Sequence, residues 1–113
     1  MTAPDWAPDR GDLIWLDFNP ILGHEQGGRR PAVVLSRQRY NRLTGLAVCC
    51  PVTSRVKGYV MEYLLPADAP AHGAVLTDQI RSLGWRERNA ELIGRLDPTS
   101  LETVLDMARE MLA

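Results

Sequence analysis

Short apolar runs, separated by polar segments that contain glycine and proline, dominate the chain and predict a mainly β protein. The run from Asp12 to Phe18 is rich in aromatic and large apolar residues, and Asn19-Pro20 ends it, as is typical of a buried strand. Similar runs predict strands over residues 32–36, 46–50, 59–65 and 74–77, and a sixth over 90–96. Residues 1–10 are predicted to form an irregular lead-in.

The C-terminal segment has the spacing of an amphipathic helix. Asp97 is a good N-cap, and Pro98 suits the first helical position. Apolar residues then recur on one helical face, at Leu101, Val104, Leu105, Ala108, Met111 and Leu112. Strands followed by one helix, over about 98–112, predict a single mainly β (α+β) domain covering 1–113. Its sheet would be a small antiparallel barrel or strongly bent, and closed by the helix.

Composition and charge narrow the class of protein. The chain of 113 residues is long enough for one domain with one core. No apolar run approaches the ~20 residues that cross a bilayer, and residues 2–12 have no apolar stretch like that of a signal peptide. We therefore expect a soluble cytoplasmic protein with no membrane partner. The net charge of -1 argues against a strongly basic nucleic-acid coat, although the first half of the chain is mildly positive.

The cysteine and histidine spacing predicts no metal site. Cys49 and Cys50 are adjacent, so on a strand their side chains point to opposite faces, and we expect both to be reduced and packed. The two histidines are far apart, and no Cys-x-x-Cys pair is present. We therefore expect neither a metal nor another cofactor.

Three polar patches interrupt the apolar runs. The first is the glycine-rich loop 23–31, which holds His24, Glu25, Gln26, Arg29 and Arg30; the second holds Thr53, Ser54 and Lys57; the third holds Asp78, Gln79 and Arg81. Each lies in a loop or at a strand end, and in a small barrel such ends can converge on one face. Alternatively, Asp78 caps a short helix through residues 82–85.

Taken in order, these motifs resemble the MazF/PemK (Kid) family, the toxins of type II toxin–antitoxin modules. The resemblance rests on Gly11-Asp12-Leu13-Ile14-Trp15, Gly23-His24-Glu25-Gln26, Arg30-Pro31-Ala32-Val33-Val34-Leu35-Ser36, Pro51-Val52-Thr53-Ser54 and Asp78-Gln79. It implies an SH3-like, CcdB-type barrel that forms a homodimer. The implied activity is sequence-specific, metal-free cleavage of single-stranded RNA, leaving a 2′,3′-cyclic phosphate and a 5′-hydroxyl. The implied partner is a MazE-like antitoxin whose flexible acidic tail covers the RNA groove.

The resemblance also implies roles for individual residues. Arg30 matches the family's catalytic arginine, and a guanidinium can brace two phosphate oxygens. Thr53 matches the catalytic threonine, while Glu25 acts either as a base or by ordering Arg30. The expected RNA-binding residues are His24, Gln26, Ser54, Lys57, Asp78 and Gln79, with the amides and Asp78 reading base edges. We expect Arg29 to be a solvated loop charge.

One departure from the family affects the proton donor. Kid-like members have an arginine two residues before the Asp-Gln pair, with a general-acid role, whereas this chain has Leu76. The MazF-like arrangement based on Arg30 and Thr53 is therefore favoured, and the donor is unassigned. Two alternatives stay open: a non-enzymatic CcdB-like toxin that poisons DNA gyrase by binding, and a plain SH3-like binding module.

The aromatic residues divide into two groups. Trp15, Trp85, Tyr59 and Tyr63 lie in predicted strands or near them, and we expect them in the core. Trp6 and Tyr40 lie outside the predicted strands. For these two, contact with the core or with a second subunit is favoured over stacking on RNA or on the antitoxin.

Overall fold

The computed structural model describes residues 5–19 and 28–113. Within these ranges, seven strands and two helices follow one another along the chain. They are β1 (Asp12–Asp17), β2 (Arg29–Val34), α1 (Gln38–Thr44), β3 (Leu46–Thr53), β4 (Glu62–Leu64), β5 (Ala74–Leu76), β6 (Arg81–Gly84), β7 (Glu91–Arg95) and α2 (Pro98–Leu112). The mainly β class and the C-terminal helix are therefore confirmed. The irregular lead-in is confirmed over residues 5–10.

All strand pairs are antiparallel, in the order β4-β5-β3-β2-β1-β7, and β6 pairs with β3 as well. In the described part of the chain this path does not close on itself, so the predicted barrel is not confirmed. The long strand β3 pairs with β2, β5 and β6. It is therefore the strand through which the two halves of the sheet are connected.

Strand β2 begins earlier than predicted and contains Pro31. A proline was expected only at the start of a strand, because it has no N–H to donate. Here Pro31 pairs with Trp15 of β1, while pairing with β3 begins at Ala32. The proline therefore lies where β2 has a neighbour on one side only, and the missing N–H leaves the β2–β3 ladder intact.

Helix α1 forms in a polar segment for which the pattern predicted neither a strand nor a helix. Asn41 lies fully buried within this helix. Its amide donates to the carbonyl oxygens of Pro8 and Ser36, at 2.8 and 3.1 Å. Its backbone carbonyl oxygen accepts from Trp85 Nε1 at 2.9 Å. The bonds to Pro8 and Ser36 satisfy the buried side-chain amide, and local sequence patterns do not reveal the contacts with Pro8 and Trp85.

Other elements also differ from the prediction. Strand β3 continues through Pro51 to Thr53, whereas β4 is limited to Glu62–Leu64 because residues 59–61 form its approach. Residues 82–85 do not form the short helix considered above, since 81–84 pair with β3 as strand β6. Neither of the two helices found in residues 5–19 and 28–113 is long and apolar enough to cross a bilayer.

The core has two parts, one on each face of the sheet. One includes Leu13, Val33 and Val52 and is covered by α2 through Val104 and Leu105. The other is built from Ile14, Leu16, Phe18, Ala32, Val34, Ala47, Cys49, Leu83 and Trp85. Trp6 packs edge-on against Trp85, with 5.7 Å between the ring centroids. This contact joins the N-terminal lead-in to the second part of the core. Both cysteines are buried and reduced, as predicted, and lie in different parts of the core.

Asp12, at the start of β1, has a structural role. Asp12 is buried, and its carboxylate accepts from Arg95 of β7 at 2.5 Å and from the Asp9 backbone at 2.8 Å. Burial raises the pKa of Asp12, although these two contacts oppose the effect. This carboxylate therefore holds β1, β7 and the lead-in together at the end of the sheet away from the polar patches.

Candidate active site

The start of β2 and the end of β3 meet at one cleft, which brings Arg30 and Thr53 together although they are far apart in the sequence. Strands β2 and β3 are antiparallel, and their pairing ends with Ala32 opposite Pro51. Arg30 lies two residues before Ala32, and Thr53 lies two residues after Pro51. Because residues two apart on a strand share a face, both side chains lie on the same face as that pair. The register of the sheet therefore sets the geometry of this pair.

Arg30 and Thr53 line one open cleft of about 1020 Å³. Other described residues that line it are Ser54, Arg55, Lys57, Tyr59, Asp78 and Gln79. Thr53, Ser54 and Lys57 of the second patch and Asp78 and Gln79 of the third patch therefore line the same cleft as Arg30. Among the described residues of the cleft, the basic side chains of Arg30, Arg55 and Lys57 suit a polyanion such as a nucleic-acid backbone.

The hydroxyl of Thr53 is held at the end of β3. Its Oγ1 accepts from the Arg55 backbone N–H at 3.1 Å, so its proton can be donated to a ligand. On the other side Thr53 pairs with Ala74 of β5. A Cβ added to the neighbouring Gly73, whose φ is +120°, would lie only 2.1 Å from the Thr53 carbonyl oxygen. Glycine is therefore required there for the close approach that supports Thr53.

Arg30 is partly buried at the cleft. Burial, and to a smaller extent the positive charge of Arg55, lower the pKa of its guanidinium. Both effects penalise the charged form, because they remove water and add a like charge. An incoming phosphate would relieve this penalty, so the site is electrostatically prepared for an anion.

The remaining predicted residues divide into two groups. Ser54, Lys57, Asp78 and Gln79 all line the cleft, and Leu76 lies there too, as a buried apolar wall. The third patch is joined to the cleft wall by the Gln79 backbone N–H, which donates to the Leu76 carbonyl at 3.1 Å. His24, Glu25 and Gln26 lie outside the described residues.

Arg29 is not the solvated loop charge that was expected. It belongs to β2 and forms ion pairs with Asp17 at 3.0 Å and Glu91 at 2.7 Å, and it also donates to the Asn89 carbonyl at 2.9 Å. Hydrogen bonds from Asn89 and Arg29 lower the pKa of Asp17. Arg29 therefore ties β1, β2 and the start of β7 together beside Arg30.

The described residues on either side of segment 20–27 are also joined to each other. The Gly28 N–H donates to Asn19 Oδ1 at 3.0 Å, and the Phe18 N–H donates to the Gly28 carbonyl at 2.8 Å. Arg88 Nη1 donates to the carbonyls of Asp17 and Asn19, at 3.0 and 3.2 Å. The residues before and after the loop, and Arg30 with them, are thus fixed by contacts from several strands.

The cleft residues that the sequence did not single out include Arg55, Tyr59 and Glu62. Tyr59 was expected in the core but is half exposed, because β4 begins only at Glu62. Gly58, with a φ of +75°, lies directly before Tyr59, but the apolar run that follows it gives no sign that the strand begins only at Glu62. In the described ranges, His, Cys, Asp and Glu side chains form no group of three that could hold a metal ion.

Comparison with known proteins agrees with this arrangement. Residues 9–112 match the family described as PemK-like, MazF-like toxin of type II toxin-antitoxin system. The chain is 46% identical over 99 residues to the endoribonuclease toxin MazF of Escherichia coli K12, an alignment that covers 88% of each chain.

Solved structures give the same result. Crystalline MazF from Deinococcus radiodurans is 51% identical, with a TM-score of 0.92 over 96% of this chain and 98% of that one. A MazE-MazF crystal structure from the same organism matches at 45% identity and a TM-score of 0.85, over the same shares of the two chains. The chain therefore belongs to the PemK-like, MazF-like family of type II toxin–antitoxin toxins.

Proposed function

We propose that this chain is an endoribonuclease toxin that cuts single-stranded RNA, including mRNA, at the cleft between β2 and β3. The observation that carries the proposal is the shared cleft of Arg30 and Thr53, beside Arg55 and Lys57. A guanidinium and a hydroxyl that face one polyanion groove suit a phosphodiester substrate. Relatives named endoribonucleases, at up to 46% identity, support the same reading.

The proposed chemistry needs no metal. The 2′-hydroxyl of the RNA attacks the adjacent phosphorus, and the bond to the 5′-oxygen of the next nucleotide breaks. The products are a 2′,3′-cyclic phosphate and a 5′-hydroxyl. Arg30 braces the non-bridging oxygens as negative charge develops on them, and Thr53 donates a hydrogen bond to the same phosphate. Glu25 either removes the 2′ proton or orders Arg30.

The proton for the departing 5′-oxygen needs a donor in this scheme. Leu76 has no acidic group, so the Kid-type general acid is absent from that position. The pKa of Arg30 is lowered by burial and by Arg55, which is the direction that makes a guanidinium a better acid. We assign Arg30 mainly to phosphate stabilisation, because an ordinary guanidinium has a pKa above ~12.

The other polar residues bind the RNA in this proposal. Lys57 contributes charge for the backbone, and Ser54 adds a second hydroxyl beside Thr53. Asp78 and Gln79 offer acceptor and amide groups for base edges, as do His24 and Gln26 in the loop. Cleavage would then depend on the bases next to the scissile bond.

Regulation and assembly follow from the family. We propose a MazE-like antitoxin whose flexible acidic tail covers the basic cleft, since acidic residues complement Arg30, Arg55 and Lys57. The related crystal structures of MazE-MazF from Deinococcus radiodurans are consistent with such pairing. We also propose a homodimer of SH3-like, CcdB-type subunits acting in the cytoplasm. Exposed apolar side chains such as Val60 and Leu112 favour a subunit contact.

Product chemistry tests the proposal. The purified protein is incubated with a mixed-sequence single-stranded RNA in EDTA, and the fragment ends are identified by mass spectrometry. We expect cuts at a restricted set of sequences, with cyclic phosphates and 5′-hydroxyls at the new ends. Intact RNA together with inhibition of DNA gyrase would instead support the non-enzymatic alternative.

A further inference from the structure

An exposed aromatic ring stands at the edge of the basic cleft. Tyr59 is 51% exposed and lines the cleft with Arg30, Thr53 and Lys57. The chain has only three tyrosines, three tryptophans and one phenylalanine, so an exposed ring forgoes burial that a small domain needs. Exposed aromatic side chains beside basic groups are typical of surfaces that bind single-stranded nucleic acid.

The backbone that carries Tyr59 is held in place. The Glu62 carboxylate accepts from the backbone N–H groups of Lys57 at 3.1 Å and Gly58 at 2.9 Å. The Glu62 N–H in turn donates to the Tyr59 carbonyl at 2.9 Å. A side chain on a turn fixed in this way loses little conformational entropy when a ligand docks on it.

Asp78 lies in the same cleft as the ring. A hydrogen bond to the Asp78 carboxylate, and its negative charge, raise the pKa of the Tyr59 phenol. The two segments are also joined directly, since the N–H and the hydroxyl of Thr77 donate to the Met61 carbonyl at 3.1 and 2.6 Å. The backbone that carries the ring is therefore held beside Asp78, while half of the Tyr59 surface faces solvent.

We propose that Tyr59 is the platform on which one RNA base stacks, and that Asp78 selects at this position a base with an exocyclic amino group. The inference rests on the proposed RNA cleavage at the same cleft. An ionised carboxylate has about four lone-pair sites, so Asp78 can accept from both the tyrosine and a base amino group. Adenine, cytosine and guanine carry such an amino group, whereas both exocyclic groups of uracil are carbonyl oxygens, which a carboxylate repels.

Steady-state cleavage of a short RNA containing one cut site tests the platform. Stacking is made equally in the ground and transition states, so Tyr59→Ala should raise KM about 10- to 100-fold with little change in kcat. Tyr59→Leu, which keeps bulk without a π face, should behave like Tyr59→Ala, and Tyr59→Phe should keep most of the affinity. Tyr40, 42% exposed on α1 and outside the cleft, is the matched control, and Tyr40→Ala should leave KM unchanged.

Abasic substitution identifies the stacked base. Each base near the cut is removed in turn, and the loss in kcat/KM is compared between the wild type and Tyr59→Ala. One position should matter to the wild type and no longer matter to the variant. Uracil at that position should raise the wild-type KM, and Asp78→Asn should narrow the difference, because an amide can donate to uracil. Equal losses at all positions, or a wild-type KM for both Tyr59→Ala and Tyr59→Leu, would overturn the inference.

The two proposals fail in different ways. If the wild type leaves RNA intact, the proposed function is wrong. If the wild type cleaves and the Tyr59 variants match it while remaining folded by circular dichroism, only the stacking platform is wrong.

Discussion

At the scale of single residues, the cleft combines a partly desolvated cation with a fixed hydroxyl. Arg30 has a lowered pKa because burial and Arg55 penalise its charge, so binding a phosphate removes an existing electrostatic penalty. Thr53 has its oxygen occupied by the Arg55 N–H, which orients the hydroxyl proton. The lowered pKa of Arg30 and the oriented hydroxyl of Thr53 arise from separate contacts. Both properties would act on the same ligand if it bound between the two side chains.

Replacing the hydroxyl of Thr53 tests its assigned role. Thr53→Val keeps the shape of the side chain and removes the donor, and we expect cleavage to fall by about 10²-fold, as for loss of one donor to a developing oxyanion. Thr53→Ser restores a hydroxyl and should recover most of the rate. Rates under single-turnover conditions give the comparison. A Thr53→Val variant as active as the wild type would show that the hydroxyl has no part in the reaction.

At the scale of elements, the site depends on two strands and the segments that support their ends. Residues 30 and 53 lie two residues beyond the last recorded β2–β3 pair. Gly73, the residue before β5, approaches Thr53 of β3 closely because it has no Cβ. The ion pairs of Arg29 join β1, β2 and β7 beside the loop 20–27. Function therefore relies on contacts between strands as well as on the catalytic side chains.

Gly73→Ala should disturb the end of β3. The added Cβ would overlap the Thr53 carbonyl oxygen at a positive φ, so we expect a loss of stability of about 1–3 kcal/mol and reduced cleavage. Gly45 is the matched control, since it also has a positive φ but only an ordinary contact at 3.9 Å. Gly45→Ala should be less destabilising and should leave cleavage unchanged. Urea unfolding and RNA cleavage are measured on both variants. The comparison separates the overlap of the added Cβ with Thr53 from the strain of a side chain at a positive φ, which both variants share.

Arg29 and Arg30 offer a comparison between neighbours. Arg29 has ion-pair partners within the protein, so Arg29→Ala should loosen the contacts among β1, β2 and β7 and slow cleavage by no more than about tenfold. Its thermal midpoint should fall slightly. A rate loss as large as that of Arg30→Ala would mean that Arg29 also acts on the substrate.

At the scale of the whole molecule, the sequence predicted the fold where the pattern was local. The helix over 98–112 was predictable because Asp97, Pro98 and the apolar spacing all lie within one segment, and Asp97 does accept from the Ser100 N–H at 2.9 Å. Helix α1 was not predictable in this way, because Asn41 is stabilised by Pro8 and Trp85, which are distant in sequence.

The candidate site likewise contains features that the sequence predicted and features that depend on distant contacts. The shared cleft of Arg30 and Thr53 was expected from a family resemblance, and the strand register explains it. The exposed ring of Tyr59 was missed, because a run of apolar residues gives no sign that a strand starts three residues late. The ion pair of Arg29 with Glu91 and its hydrogen bond to Asn89 were missed because both partners are distant from Arg29 in the sequence.

The most direct measurement is the rate of RNA cleavage in EDTA by the wild type, Arg30→Ala and Arg39→Ala. Arg39 is exposed on α1 and outside the cleft, so it controls for the loss of one positive charge. We predict metal-free cleavage by the wild type, an undiminished rate for Arg39→Ala, and a loss on the order of 10³-fold for a folded Arg30→Ala. Wild-type rates in all three proteins, or no cleavage by any of them, would contradict the account.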